Sequence, residues 1–176
     1  MTQRMLGCRP AQTRAGQPFM SAMRGFMARQ APAWLDRSHI DPAPLMLGND
    51  VLGDCTSAGI GNHLHATAAL AGFQIVVTTS AAVQFYSRST GYVSGNPATD
   101  NGGVEVDVLT TALRHGYALA DQALFPLWGS ADPGDLNGVR NITAGLSAAY
   151  LGVQLATADR GDPGKSDRVI SYPRPG

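Results

Sequence analysis

A chain of 176 residues with 44% hydrophobic content is long enough and apolar enough for one domain with a real core, which excludes wholesale disorder. Formal net charge is zero, so there is no general electrostatic drive toward nucleic acid or an anionic membrane, and neither is expected as a partner. No apolar run approaches the ~20 residues that span a bilayer, and two cysteines, Cys8 and Cys55, make no disulfide framework, so a reduced, cytoplasmic setting is the expectation.

Residues 1–18 are polar, with Pro10, Gly16 and Pro18, and read as an extended arm. Met5-Leu6-Gly7-Cys8 has the outline of a lipoprotein cleavage site, but only Met1-Thr2-Gln3-Arg4 stands where an apolar h-region is needed, so lipidation is rejected. Over residues 19–29, Phe19, Met20, Met23, Phe26 and Met27 recur at helical spacing and predict a short amphipathic helix, weakened by Gly25. A partner or membrane-surface role for that stripe is weighed against core packing, and core packing is preferred. Pro32-Ala33-Trp34-Leu35-Asp36 and Asp41-Pro42-Ala43-Pro44 are proline-punctuated loops, with Trp34 as a packing anchor.

A glycine-bearing loop, Leu47-Gly48-Asn49-Asp50-Val51-Leu52-Gly53-Asp54, then runs into a helical pattern over residues 55–71. Ile60, Leu64, Thr67, Ala68 and Ala71 keep the three-four rhythm, and Gly72 is the stop. β-Branched residues predict a strand over residues 73–78. Ser80 is read as the cap of a helix over residues 81–90 with Val83, Phe85 and Tyr86 apolar. A loop over 91–103 leads to a helix over residues 104–115, with Val104, Val108, Leu109 and Leu113 inward and Gly116 ending it. A short strand is expected over residues 117–120. Asp132-Pro133-Gly134-Asp135 forms a turn that caps a brief helix through Arg140, and alternation predicts a strand over residues 148–155. There are no internal repeats. The composition breaks near Ala156, after which Gly, Pro, Asp and Arg dominate, so the tail to Gly176 is expected to be poorly packed.

Cys55 is the main candidate for chemistry. The unpaired N–H groups and positive dipole end of a helix N-terminus favour a thiolate over a thiol and make a cysteine nucleophilic. Position alone supports a small buried residue equally well. A cysteine nucleophile also needs a base within reach. His63 and His65 lie on the same expected helix, displaced by roughly 12–15 Å, and cannot serve. Their i, i+2 spacing also points them to different faces, which argues against a metal pair. His115, at a helix C-terminus, reads as a dipole partner, and His39 could fold back only from a flexible segment. Asp100, Glu105 and Asp107 read as acids around a helix start rather than an acid/base pair. Gly48, Gly53, Gly59 and Gly61 give backbone room around the cysteine. They lack the lysine of a phosphate loop and match no dinucleotide fingerprint, so neither metal nor cofactor is expected. A redox-active thiol would need a resolving cysteine motif that is absent.

Gly53-Asp54-Cys55-Thr56-Ser57-Ala58-Gly59 entering a helix resembles the active-site cysteine segment of the papain-like cysteine peptidase superfamily. Its wording, from Gly48-Asn49-Asp50 onward, is similar to that of papain-like proteins of bacteria and their phages. Where the family has a glutamine that helps form the oxyanion hole, six positions before the cysteine, this chain has Asn49, a shorter amide that can still donate. Thr99-Asp100-Asn101-Gly102-Gly103-Val104-Glu105-Val106-Asp107-Val108-Leu109 resembles the stretch where Asp-x-Gly opens the next helix, and Trp34-Leu35-Asp36 an aromatic-x-Asp pattern ahead of the cysteine loop. The resemblance covers residues 34–155. It implies an α+β, papain-like fold, mainly the helical half with an incomplete β subdomain, preceded by an arm over 1–33 and followed by an irregular tail over 156–176. It implies Cys55 and Asn49 as catalytic residues and a peptide or protein substrate. The family's histidine lies far downstream on a strand, whereas here no histidine follows His115. The expectation is therefore a truncated or frame-altered homologue of a thiol hydrolase, inactive or incomplete as it stands. The competing reading is a non-catalytic binding or phage-associated structural module on the same fold.

Overall fold

The computed structural model describes residues 44–119, 122–126, 128–130, 132 and 134–146, together with positions 9, 12, 14–17 and 32. The helix expected over 19–29, Trp34, the strand expected over 148–155 and the tail from 156 lie outside the described residues. Among the described residues the elements are four α-helices, α1 (Cys55–Leu70), α2 (Thr79–Thr90), α3 (Glu105–His115) and α4 (Leu136–Leu146), a 3-10 turn at Pro97–Thr99, and two short strands, β1 (Tyr117–Ala118) and β2 (Ala123–Leu124). The strands pair antiparallel, Tyr117 opposite Leu124 and Ala118 opposite Ala123. The described residues are thus α+β with helix predominating.

Helix α1 begins at Cys55, as the pattern predicts, and Asp54 at its N-cap position makes no side-chain cap bond. Its end is set by Gly72. With φ at 79°, Gly72 turns the chain so that the Phe73 N–H reaches back to Ala68 O at 2.8 Å, the 6→1 bond of a Schellman cap. Residues 73–78 are not a strand. They form an unpaired connector between α1 and α2 in which Phe73 and Val76 are exposed and Val77 is buried. β-Rich composition prepares a segment for a ladder, but no strand lies beside this one among the described residues.

The cap of α2 is Thr78, not Ser80. Thr78 has extended backbone, and its hydroxyl accepts the Ala81 N–H at 3.1 Å, while Ser80 falls in the first turn, where its hydroxyl accepts from Gln84. Helix α3 starts after Val104, and its inward face carries Val106, Val108 and Ala112. Leu113, expected inside, is exposed, because the stripe that meets α1 and α2 runs through Val108 and Ala112. The turn before α4 is as expected. Asp132 Oδ1 accepts the Gly134 N–H, and Asp135 Oδ1 accepts the Gly138 N–H at 2.9 Å, capping a helix that continues six residues past Arg140.

The core lies where α1, α2 and α3 meet. Ile60 and Leu64 from α1, Ala82 and Phe85 from α2, and Val108 and Ala112 from α3 are buried together with Leu47, Val77 and Tyr117. Tyr117 comes from β1, and its ring lies against Phe85 with centroids 4.8 Å apart. Helix α1 can approach this closely because one position is glycine. A Cβ at Gly61 would stand 2.8 Å from both Leu47 Cδ1 and the Tyr117 hydroxyl oxygen.

Candidate functional site at the start of the first helix

The loop that delivers Cys55 is bent by two consecutive residues with positive φ, Leu47 at 54° and Gly48 at 100°. Leu47 holds this rare conformation because its side chain is buried in the core. The Val51 and Leu52 N–H groups then both donate to Gly48 O, closing a tight turn that contains half-buried Asn49.

Two side chains fix the ends of this loop. Upstream, the Asn62 amide, two turns into α1, accepts the Leu45 N–H and donates to Leu45 O, each at 2.8 Å, and also donates to Ala58 O at 3.0 Å. Downstream, Asp100 accepts the Gly53 N–H on both oxygens, at 3.1 and 3.0 Å. Asp100 also accepts the Tyr86 hydroxyl at 2.6 Å, and that hydroxyl accepts the Gly102 N–H at 2.9 Å. One carboxylate therefore joins the cysteine loop, α2 and the loop before α3. This corrects the expectation that Asp100 belongs to the start of α3. The residue at the N-cap position of α3 is Val104, with no side-chain cap, and Glu105 and Asp107 occupy the first turn.

Cys55 is the first residue of α1, half-buried, and a thiol rather than a disulfide. The first turn is closed by the Ser57 and Ala58 N–H groups donating to Asp54 O at 2.8 and 2.9 Å. Asn49 and Cys55 thus belong to one loop–helix unit. The loop before α3 forms the opposite wall. A Cβ at Gly103 would lie 2.7 Å from Thr56 Oγ1 and 2.8 Å from Val108 Cγ2, so only glycine lets that backbone pass the residue after the cysteine.

The electrostatics centre on Asp54. Its side chain has no exposed surface, and neither carboxylate oxygen has a well-formed hydrogen-bond partner. Burial, reinforced by the nearby Asp100 and Asp50 and only partly offset by its own backbone N–H, pushes its pKa up to about 7. Asp54 is therefore neutral through the mildly acidic range and becomes an anion only near neutral pH. Burial also raises the Tyr117 hydroxyl, with Asp54 adding to the effect, and raises the Tyr86 hydroxyl, with its bond to Asp100 adding further. The Ser57 and Tyr117 hydroxyls are likewise buried without a partner.

No histidine among the described residues can pair with Cys55. His63 and His65 lie on the same continuous helix, roughly 12–15 Å along its axis. Burial lowers the pKa of His63. His115 ends α3, at the far end from Gly103, and is exposed. His39 lies outside the described residues. Among the described residues no three His, Cys, Asp or Glu side chains gather to hold a metal ion, and no helix is long and apolar enough to cross a membrane.

Tyr86 and Asp100 are the site residues that sequence reasoning misses as a pair. In the sequence Tyr86 is legible only as an apolar helix position. The available signal is that a buried tyrosine hydroxyl usually finds a partner, and Asp100 is the acid in the adjoining loop. No protein-family model, curated protein or solved structure matches this chain.

Proposed function

We propose that the chain is a papain-like thiol hydrolase homologue whose nucleophile is Cys55 and which turns over weakly or not at all as it stands. The observation that carries the reading is the position of Cys55 at the first residue of a 16-residue helix, on a loop held at both ends. A helix N-terminus lowers thiol pKa, and a clamped loop aims the sulfur. In the reaction assigned to it, the thiolate attacks an amide or ester carbonyl of a peptide or protein substrate. The Cys55 backbone N–H and the Asn49 amide stabilise the oxyanion. The leaving amine must then take a proton from a positioned acid, and His63, His65 and His115 are all too far along their helices to give it. This gap also supports the second reading, a non-catalytic binding module on the same fold. The low cysteine count fits a reducing, cytoplasmic compartment in either case.

Iodoacetamide labelling near neutral pH, combined with assays on casein and an ester substrate, tests the proposal. Wild type is compared with Cys55→Ala and with each His→Ala variant. Cys55 is expected to label faster than an ordinary thiol, with little turnover in any variant. Robust turnover abolished by both Cys55→Ala and His39→Ala would reveal a working dyad and overturn the inactive reading. Labelling no faster than that of a reference thiol would sink the nucleophile assignment.

A further inference from the structure

The connector over residues 73–78 has the composition and the burial of a strand without a neighbour. Its sequence, Phe73-Gln74-Ile75-Val76-Val77-Thr78, carries no charge, no glycine and no proline. Gln74, Val76 and Thr78 are exposed, while Val77 is buried and Ile75 packs against the core. That alternation is the two-residue period of a strand with one face covered. Phe73 and Val76 are 70% and 73% exposed.

The backbone is open as well. The Phe73 N–H is engaged at the end of α1, and Thr78 O accepts the Ala82 N–H at the start of α2. Between them, no N–H or C=O of residues 74–77 is hydrogen-bonded to a described residue. Such an edge is a template for another strand, and proteins ordinarily blunt it with lysine or proline. Neither is present here.

The charge pattern favours one occupant, a second copy of the chain. From Cys55 to Ser87 there is no Asp, Glu, Lys or Arg, and the formal net charge of the whole chain is zero. Two copies therefore approach without long-range repulsion and meet at this edge with no like charges opposed. The outward row of Gln74, Val76 and Thr78 offers no charge with which to select a foreign strand. We propose that residues 73–78 are the interface of a homodimer, in which two copies pair antiparallel about a two-fold axis at Val76. In that register Gln74 lies opposite Thr78, Ile75 opposite Val77, and Val76 opposite its own copy. Both inward rows stay on one face of the joined pair, as the period-two pattern requires. A contact this short gives a dimer that dissociates on dilution. The interface is independent of the thiol reading.

Sedimentation velocity over a wide concentration range, with reductant present to keep Cys8 and Cys55 as thiols, tests this alongside hydrogen exchange. The wild type is expected to pass from monomer to dimer as concentration rises. Amides within residues 74–77 should gain protection over the same range. Val76→Lys and Val76→Glu change a side chain exposed enough to leave the fold intact, and each should abolish both the dimer and the protection. Mixing the two variants should restore both, since opposite charges then face each other across the axis. Val76→Thr, still β-branched and neutral, should dimerise like the wild type. A chain that stays monomeric at every concentration overturns the proposal. So does a dimer that survives Val76→Lys, or a mixture of the two charged variants that stays monomeric. Protection of residues 74–77 that is independent of concentration would mean that the chain covers its own edge, and overturns it equally.

Discussion

The Tyr86 hydroxyl donates to Asp100 at 2.6 Å while accepting the Gly102 N–H at 2.9 Å, so one oxygen from α2 fixes both the carboxylate that grips the cysteine loop and the backbone that walls it in. Tyr86 is fully buried, and its ring stacks on Tyr92 with centroids 5.0 Å apart, which holds the hydroxyl in place.

Tyr86→Phe keeps that packing and removes only the oxygen. It leaves the Gly102 N–H buried without an acceptor, which should cost about 1–3 kcal/mol in urea unfolding. Asp100→Asn should cost a similar amount, because an amide cannot accept from Gly53 and Tyr86 through two equivalent oxygens. The double variant should be less damaging than the sum, since the two residues act through one network. Strict additivity would show that the hydroxyl and the carboxylate hold the loop independently.

Asp54 predicts a pH dependence with a defined sign. Its folded pKa of about 7 lies above the ordinary 3.8, so the native state holds the proton more tightly than the unfolded chain. The stabilisation from this group is complete below the ordinary value, declines as pH rises toward 7 and is exhausted above it. At ~1.4 kcal/mol per pH unit, the window spans on the order of a few kcal/mol. Asp54→Asn should flatten this slope, giving a higher Tm than wild type at pH 8 and little gain at pH 4. An unchanged slope of stability against pH would locate the titration elsewhere.

Two glycines separate space from backbone conformation. At Gly61 an added methyl meets Leu47 and Tyr117, and Gly61→Ala should cost about 1–3 kcal/mol through overpacking. At Gly72 nothing lies within 4 Å, but φ is 79°, so Gly72→Ala should cost only about 1 kcal/mol through strain. Thermal denaturation of both variants would rank them, and equal losses would contradict the close approach at Gly61.

The helices are legible in the sequence because their signals are local. Gly72 and Gly116 mark ends by the conformation they permit, Asp135 marks a start with a carboxylate, and the loop before Cys55 announces the junction. The signals that mislead are those that depend on a partner. Residues 73–78 have strand composition and no neighbour to pair with among the described residues. The strand at Tyr117 is expected, but its partner at Ala123 is not, because two residues carry too little pattern. Leu113 looks buried by spacing, yet the direction of the α3 stripe is set by what α1 presents to it. The site is half legible. Cys55 and Asn49 sit on a contiguous stretch, but the Asp100–Gly53 bond spans 47 residues, and only the folded chain brings those groups together.

Asn62 does for the cysteine loop what a neighbouring strand would do for an edge, meeting the Leu45 N–H and carbonyl with one planar amide. Mechanically, the Asn62 amide ties the start of the cysteine loop at Leu45 to the middle of α1. With the Asp100 anchor at the other end, the segment bearing Asn49 is moored at two points, so its shape is referred to the helices around it and not to its own short sequence.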